Sequence, residues 1–251
     1  MKAFYPASDL HVIFTFKAVS LAYLSNEVQS SSVLQQARKA YSSALALTNQ
    51  ALHSKDIAFK NTTVLTVLLL DFFENLTNDE SNSSSPASKH LDGAVTLLKI
   101  RGPKQFEDPV SLSMFQHLSS HLIPSCLERG VAIPNDFLRL RKHASRFTST
   151  DDLEWRLSDV MVQLAALRDG FKDSNTSNTL TLATAQYLDL ELLDIRNAMP
   201  ESTAFNTPTS QSPLSEDSDT RPSKKPTRER NLHLVRILLD ETLGKISPDP
   251  A

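Results

Sequence analysis

The stretch SSVLQQARKAYSSALALTNQALH, residues 31–53, decides the fold class. Val33, Ala37, Ala40, Ala44, Leu47 and Ala51 recur at the 4-3-4-3-4 spacing that places side chains on one face of an α-helix, and Leu34, Tyr41, Leu45 and Leu52 widen that stripe. A polar break at Ser54–Asp56 follows. In TTVLTVLLLDFFENL, residues 62–76, Leu65, Leu68, Leu69, Phe72 and Leu76 repeat the helical spacing, while Val64, Val67 and Leu70 make the segment apolar nearly all round. The β-branched Thr62, Thr63, Val64, Thr66 and Val67 would also suit a strand, but the length of the segment and the spacing of its leucines favour a central, buried helix.

Working outward, TNDESNSSSPAS at 77–88 is polar and without period, a surface loop, with Ser85 and Pro86 as cap and first residue of the next helix. Leu91, Val95 and Leu98 face inward on that helix, which stops at Arg101-Gly102-Pro103. Leu112, Phe115, Leu118, Leu122 and Cys126 give a further helix interrupted near Pro124, and Pro134 opens another through Phe137, Leu138 and Leu140. Thr150-Asp151-Asp152 caps a long helix carrying Leu153, Leu157, Val160, Leu164, Leu167 and Phe171, closing near Gly170; Leu188, Leu192, Ile195 and Met199 mark the next. From Pro200 to Glu229 the composition shifts to Pro, Ser and Thr, as in a disordered linker or long loop. Leu232, Val235 and Leu239 then support a terminal helix, too short to stand alone in water and so expected to pack back. The expectation is an all-α, irregular multi-helix bundle of about eight or nine helices: a helical domain over 1–199, the Pro/Ser-rich insert over 200–229, and a terminal helix over 230–246.

Composition agrees. The 251 residues are 40% hydrophobic and 22% charged, and five glycines are too few for a turn-rich β architecture or a glycine-rich phosphate loop. A net charge of -3 gives no global attraction to nucleic acid, and one cysteine, Cys126, can supply neither an internal disulfide nor a cysteine-based zinc site. The apolar stretch from Val12 to Leu24 is interrupted by Lys17, and Val64–Phe73 is broken by Asp71 and falls short of the ~20 residues of a membrane span. No membrane or secretory role is therefore expected, and the sequons at Asn61, Asn75, Asn82 and Asn175 carry little weight.

No catalytic or nucleotide motif is present. His117 and His121 have the i, i+4 spacing of a helical metal pair with Cys126 about a turn beyond, yet no carboxylate is placed to complete the set, and they read as half-exposed histidines beside a core stripe. Asp71 and Glu74, one turn apart, could hold magnesium only with an aspartate-rich partner helix, and they read as solvated carboxylates near a helix end. Arg221, Lys224, Lys225, Arg228 and Arg230 form a basic run, a nuclear-import candidate. Gly93, inside a helix, should cost ~1 kcal/mol relative to alanine; close approach of a neighbouring helix would offset that, and a ligand against the bare backbone is the sharper alternative.

KHLDGAVTLLKIRGPKQF at 89–106 resembles a segment of the helical regulatory region of fungal zinc-cluster transcription factors. AYSSALALTNQAL at 40–52 and TTVLTVLLLDFFENL at 62–76 resemble the helix pair that precedes it, and RNLHLVRILLDETL at 230–243 is similar to the closing helix. The residues that carry the likeness are His90, Asp92, Gly93, Ala94, Arg101, Gly102, Asn231 and Arg236. Ala87 stands where the family usually has tryptophan, and six closely spaced cysteines that would bind two zinc ions are missing. The resemblance implies a nuclear regulatory region, not an enzyme, without a cofactor and without DNA recognition of its own, reaching DNA only through a zinc-cluster domain. Its partners would be proteins of the transcription machinery, a second copy, or a small-molecule effector, and the chain would be a fragment, a truncated product or a divergent member. Two rivals are a helical-repeat scaffold, suggested by Ala37, Tyr41, Ala44 and Leu45, and an all-α metal-dependent enzyme using Asp71 with Glu74 or His117 with His121.

Overall fold

The computed structural model describes residues 9–77, 89–170, 178–199 and 227–246. Every regular element among them is helical: α1 (Leu10–Val28), α2 (Ser31–Leu52), α3 (Lys55–Ala58), α4 (Asn61–Thr77), α5 (Lys89–Arg101), α6 (Pro109–Arg129), α7 (Asn135–Ala144), α8 (Leu153–Gly170), α9 (Asn178–Ala198) and α10 (Thr227–Ile246). All but the single turn α3 are seven residues or longer, so the all-α expectation holds. Ser85 and Pro86, and the Pro/Ser-rich insert up to residue 226, lie outside the described residues. The terminal helix starts at Thr227, three residues before the position read from its leucines. No described helix is long and apolar enough to cross a membrane.

The helices form two compact units, Met1–Leu122 with Pro134–Thr148, and Ile123–Ile133 with Ser149–Ala251. α8 and α9 fall in the unit that holds α10. In the first unit α1, the apolar stretch from Val12 to Leu24, packs along α2 and α4. The seam is lined by Ala18, Ala22, Ala37 and Ala40 around Phe73. Residues this small let helix backbones approach closely, and without large side chains little rotamer entropy is lost. Ser30 opens α2, its hydroxyl accepting the N–H of Val33 at 3.4 Å.

α4 is the central helix, touching α1, α2, α3 and α5. Its phase differs from the sequence reading: Val64, Val67, Leu70 and Phe73 are buried, whereas Phe72 is exposed. A helix covered on several sides has no single apolar stripe, so leucine spacing does not fix its rotation. Thr63 and Thr66 are buried too, and each satisfies its hydroxyl locally, on the carbonyls of Ile57 and Thr62, both at 2.7 Å. That removes the penalty that would otherwise argue against threonine in this position.

The C-terminal stop of α5 is as read, with Gly102 at φ 79, ψ 175, backbone that only glycine adopts freely. α6 corrects the expectation of a break, because it runs through Pro124. The proline lacks the N–H for the Ser120 carbonyl, a cost of ~3 kcal/mol in an exposed helix. Leu122, Ile123, Cys126 and Leu127 around it are all buried, and each apolar side chain so placed contributes ~1.5–3 kcal/mol, which outweighs the lost bond. Earlier in α6 the Phe115 ring sits 5.0 Å from Phe106 and 5.2 Å from Phe137, centroid to centroid.

In the second unit Asp152 caps α8, its Oδ1 accepting the N–H groups of Glu154 and Trp155 at 3.0 and 3.1 Å. Leu157, Val160 and Leu164 of α8 and Leu188, Leu192 and Ile195 of α9 are buried, as their spacing implied. Arg156 ties the two helices, reaching Glu191 at 2.8 Å and Asp194 at 2.6 Å. α10 packs on both.

Candidate functional site

The family-like segment is α5, and its first turn meets α2 and α4 in a polar cluster. Tyr41 donates its hydroxyl to Glu74 Oε1 at 2.5 Å, and His90 Nε2 lies 3.1 Å from the same oxygen and 3.2 Å from the tyrosine hydroxyl. Behind it the Tyr41 ring stacks on Phe73 at 4.4 Å. Burial, the hydrogen bond to Glu74 and the nearby Glu74 and Asp71 charges all hold the Tyr41 hydroxyl above its ordinary pKa, so it remains a donor. Asp71 corrects the reading of a solvated carboxylate: it is 3% exposed, with Oδ2 accepting from Asn75 Nδ2 at 3.0 Å.

The other end of α5 is fastened by Arg101, whose Nη2 reaches Asn61 Oδ1 at 2.5 Å and Ser111 Oγ at 3.0 Å. Asn61 Nδ2 in turn donates to Asp108 Oδ2 at 2.8 Å. Asp108 precedes Pro109 at the start of α6 and accepts the N–H groups of Val110 and Ser111, both at 3.2 Å. Hydrogen bonds from Asn61, Ser111 and the Val110 N–H pull the Asp108 carboxyl down to about 2. Burial pushes the Arg101 guanidinium below its ordinary value, with the Asp108 charge opposing. α5 is thus anchored at both ends.

Between the anchors its middle turns border a cleft of about 680 Å³ formed with α2, α3 and α4. Ala58, Val67, Leu70 and Leu97 make buried walls, and Leu52 and Ile100 stand 40% and 58% exposed along it. Gly93 borders the cleft, and a Cβ built there would meet nothing within 4 Å. The close helix approach expected at Gly93 is therefore not found among the described residues. His90 borders the same cleft.

The remaining candidates fall elsewhere. Asp92 is exposed and Ala94 buried on α5. Asn231 and Arg236 lie in the second unit: Asn231 is 5% exposed, and Arg236 pairs with Asp189 and Asp240. Arg221, Lys224 and Lys225 lie outside the described residues, Arg230 is exposed on α10, and Arg228 Nη2 is 2.7 Å from Glu154 Oε1. The His117 and His121 rings meet edge to face at 4.7 Å. Among the described residues no group of three or more His, Cys, Asp or Glu side chains is placed to hold a metal ion. Sequence reasoning missed Tyr41, Glu74 as its partner, and the Asn61–Asp108 link; the Asp-Pro pair at 108–109 was a readable helix-start signal.

No curated protein and no solved structure matches the chain. A family model does, over residues 8–126, from α1 into α6, and so across the polar cluster, the Arg101 network and the cleft. The similarity of residues 230–243 to the closing helix lies beyond that match. What those residues match is the model of a fungal specific transcription factor domain.

Proposed function

We propose that the protein is an effector-responsive regulatory region of a zinc-cluster transcription factor, acting in the nucleus and not itself reading DNA. The observation that carries the reading is the cleft of about 680 Å³ within the family-matched segment, in the size range of small-molecule sites, roughly 300–1,000 Å³. It is bounded by the helix that bears His90 and Gly93, and that helix is fixed at each end by polar anchors. Occupancy can therefore be felt at the Tyr41–Glu74–His90 cluster, which joins three helices. Regulation would pass on through contacts with proteins of the transcription machinery or with a second copy. A net charge of -3 and a single cysteine support the absence of DNA reading by this chain. The run Arg221, Lys224, Lys225, Arg228 and Arg230 is the import candidate, with Arg228 already engaged by Glu154.

The test joins the chain to a DNA-binding domain of unrelated specificity and measures a reporter in a fungal host. Altered transcription relative to the DNA-binding domain alone is expected. An inert nuclear fusion, or tight saturable binding of random duplex DNA by the chain alone in a mobility-shift assay, would overturn the proposal.

A further inference from the structure

α1 turns its small residues to its own chain and its bulky ones to solvent. Of its 19 residues only Lys17 and Glu27 carry a formal charge, and a helix apolar nearly all round is ordinarily covered on every side. The buried positions are His11, Val12, Thr15, Ala18, Ala22 and Ser25, which beyond the first turn are small. On the outer side Phe16, Tyr23, Leu24 and Val28 are between 46% and 59% exposed. One exposed apolar residue is ordinary, but four on the outer side of one helix form a patch of the kind that marks an interface.

The two charges say what covers it. Lys17 and Glu27 are both exposed, and each lies five residues from Ala22, which is fully buried on the opposite side. Glu27 sits in the last turn, where the helix dipole disfavours a carboxylate, and no basic residue in that turn offsets it. Lys17 of the same helix stands about 15 Å back along the axis, too far to do so. A second α1 laid antiparallel across the outer side, about a two-fold axis level with Ala22, brings Lys17 of each copy level with Glu27 of the other and opposes the two helix dipoles. The same axis sets the small Ser20 level with the large Leu24, twice over. A parallel pair would instead set like charges side by side.

We propose that α1 is the surface through which two copies of this chain pair, antiparallel, about a two-fold axis level with Ala22. The step goes beyond the effector reading and stands on α1 alone. A single pair of helices falls at or below the low end of standard interfaces, about 1,200 Å², so the pairing is weak and depends on concentration.

Sedimentation velocity on the full chain from about 1 to 300 μM tests this, with a dissociation constant on the order of 10–100 μM expected. Lys17→Glu and Glu27→Lys should each weaken pairing about tenfold at low salt, because like charges then come level, and less at high salt. Combined in one chain, the two substitutions should restore pairing to within about threefold of the parent. Phe16→Gln with Leu24→Gln should remain monomeric throughout, with the urea midpoint of the dilute parent; should that variant lose helix content, the charge series decides. A chain monomeric at every concentration, which would leave the outer side of α1 to a different partner, would overturn the proposal. So would a dimer that persists in a folded Phe16 and Leu24 variant, or a charge swap that fails to restore pairing. An inert reporter fusion of a chain that still pairs would overturn the functional reading alone, and an active fusion of a chain that stays monomeric would overturn only the pairing.

Discussion

Replacing Gly93 with alanine should stabilise the protein, and the size of the gain follows from the structure. The residue lies inside α5 in helical backbone, and its added Cβ would meet no atom within 4 Å. No steric term opposes the substitution. The gain is then the entropy that glycine retains in the unfolded chain and alanine does not, about 0.5–1 kcal/mol. For an m-value of about 2 kcal/mol/M this moves the urea midpoint up by about 0.3–0.5 M. Helix content followed at 222 nm is the natural signal, because the one tryptophan, Trp155, belongs to the other unit and does not report on α5 locally. A lower midpoint would refute the reasoning, since it would mean that a neighbouring backbone needs the bare position, the arrangement first expected from the sequence.

The opposite sign is expected at Gly102, whose φ of 79 and ψ of 175 suit glycine alone: Gly102→Ala should lose about 1–3 kcal/mol in the same urea experiment. Phe115→Ala removes a ring that is fully buried between Phe106 and Phe137, and a loss of about 3–5 kcal/mol should appear in chemical denaturation. Tyr41→Phe keeps the stacking on Phe73 but deletes the donor to Glu74; because that carboxylate is partly exposed, the loss should be near the low end for charged acceptors, about 1.5 kcal/mol by urea midpoint. Asp108 has a folded pKa of about 2 against an ordinary 3.8, so its contribution is complete above the ordinary value and is lost as pH falls through about 4 to 2. Asp108→Asn should flatten the acid limb of an ellipticity-against-pH curve in that window, and an unchanged limb would assign the acid sensitivity to other groups.

How far the fold could be read depended on how many sides of each helix are covered. α2 presents one face to its neighbours and the other to solvent, so the spacing of Ala37, Ala40, Ala44 and Ala51 carried both its existence and its rotation. α4 is covered on several sides, and the same kind of pattern gave its existence but placed Phe72 inward where Phe73 belongs. The stop at Gly102 was readable because one residue's own backbone preference decides it. Pro124 was misread for the complementary reason: its local preference is to break a helix, and the burial of residues on both sides, a property of the assembled core, overrides it.

The candidate site was legible only as an anomaly. Its walls come from residues 45–70 and 89–100, brought together by the packing of α5 on α4, and a vacancy has no residue type to announce it. What the sequence does contain is Gly93, a glycine retained where alanine would be easier. Two arrangements are compatible with such a residue: a backbone pressed close, or an open position where a side chain would fit. Local chemistry cannot separate them, because both look the same in one helix read alone. The distance from the missing Cβ to its nearest neighbour does separate them, and here that distance exceeds 4 Å.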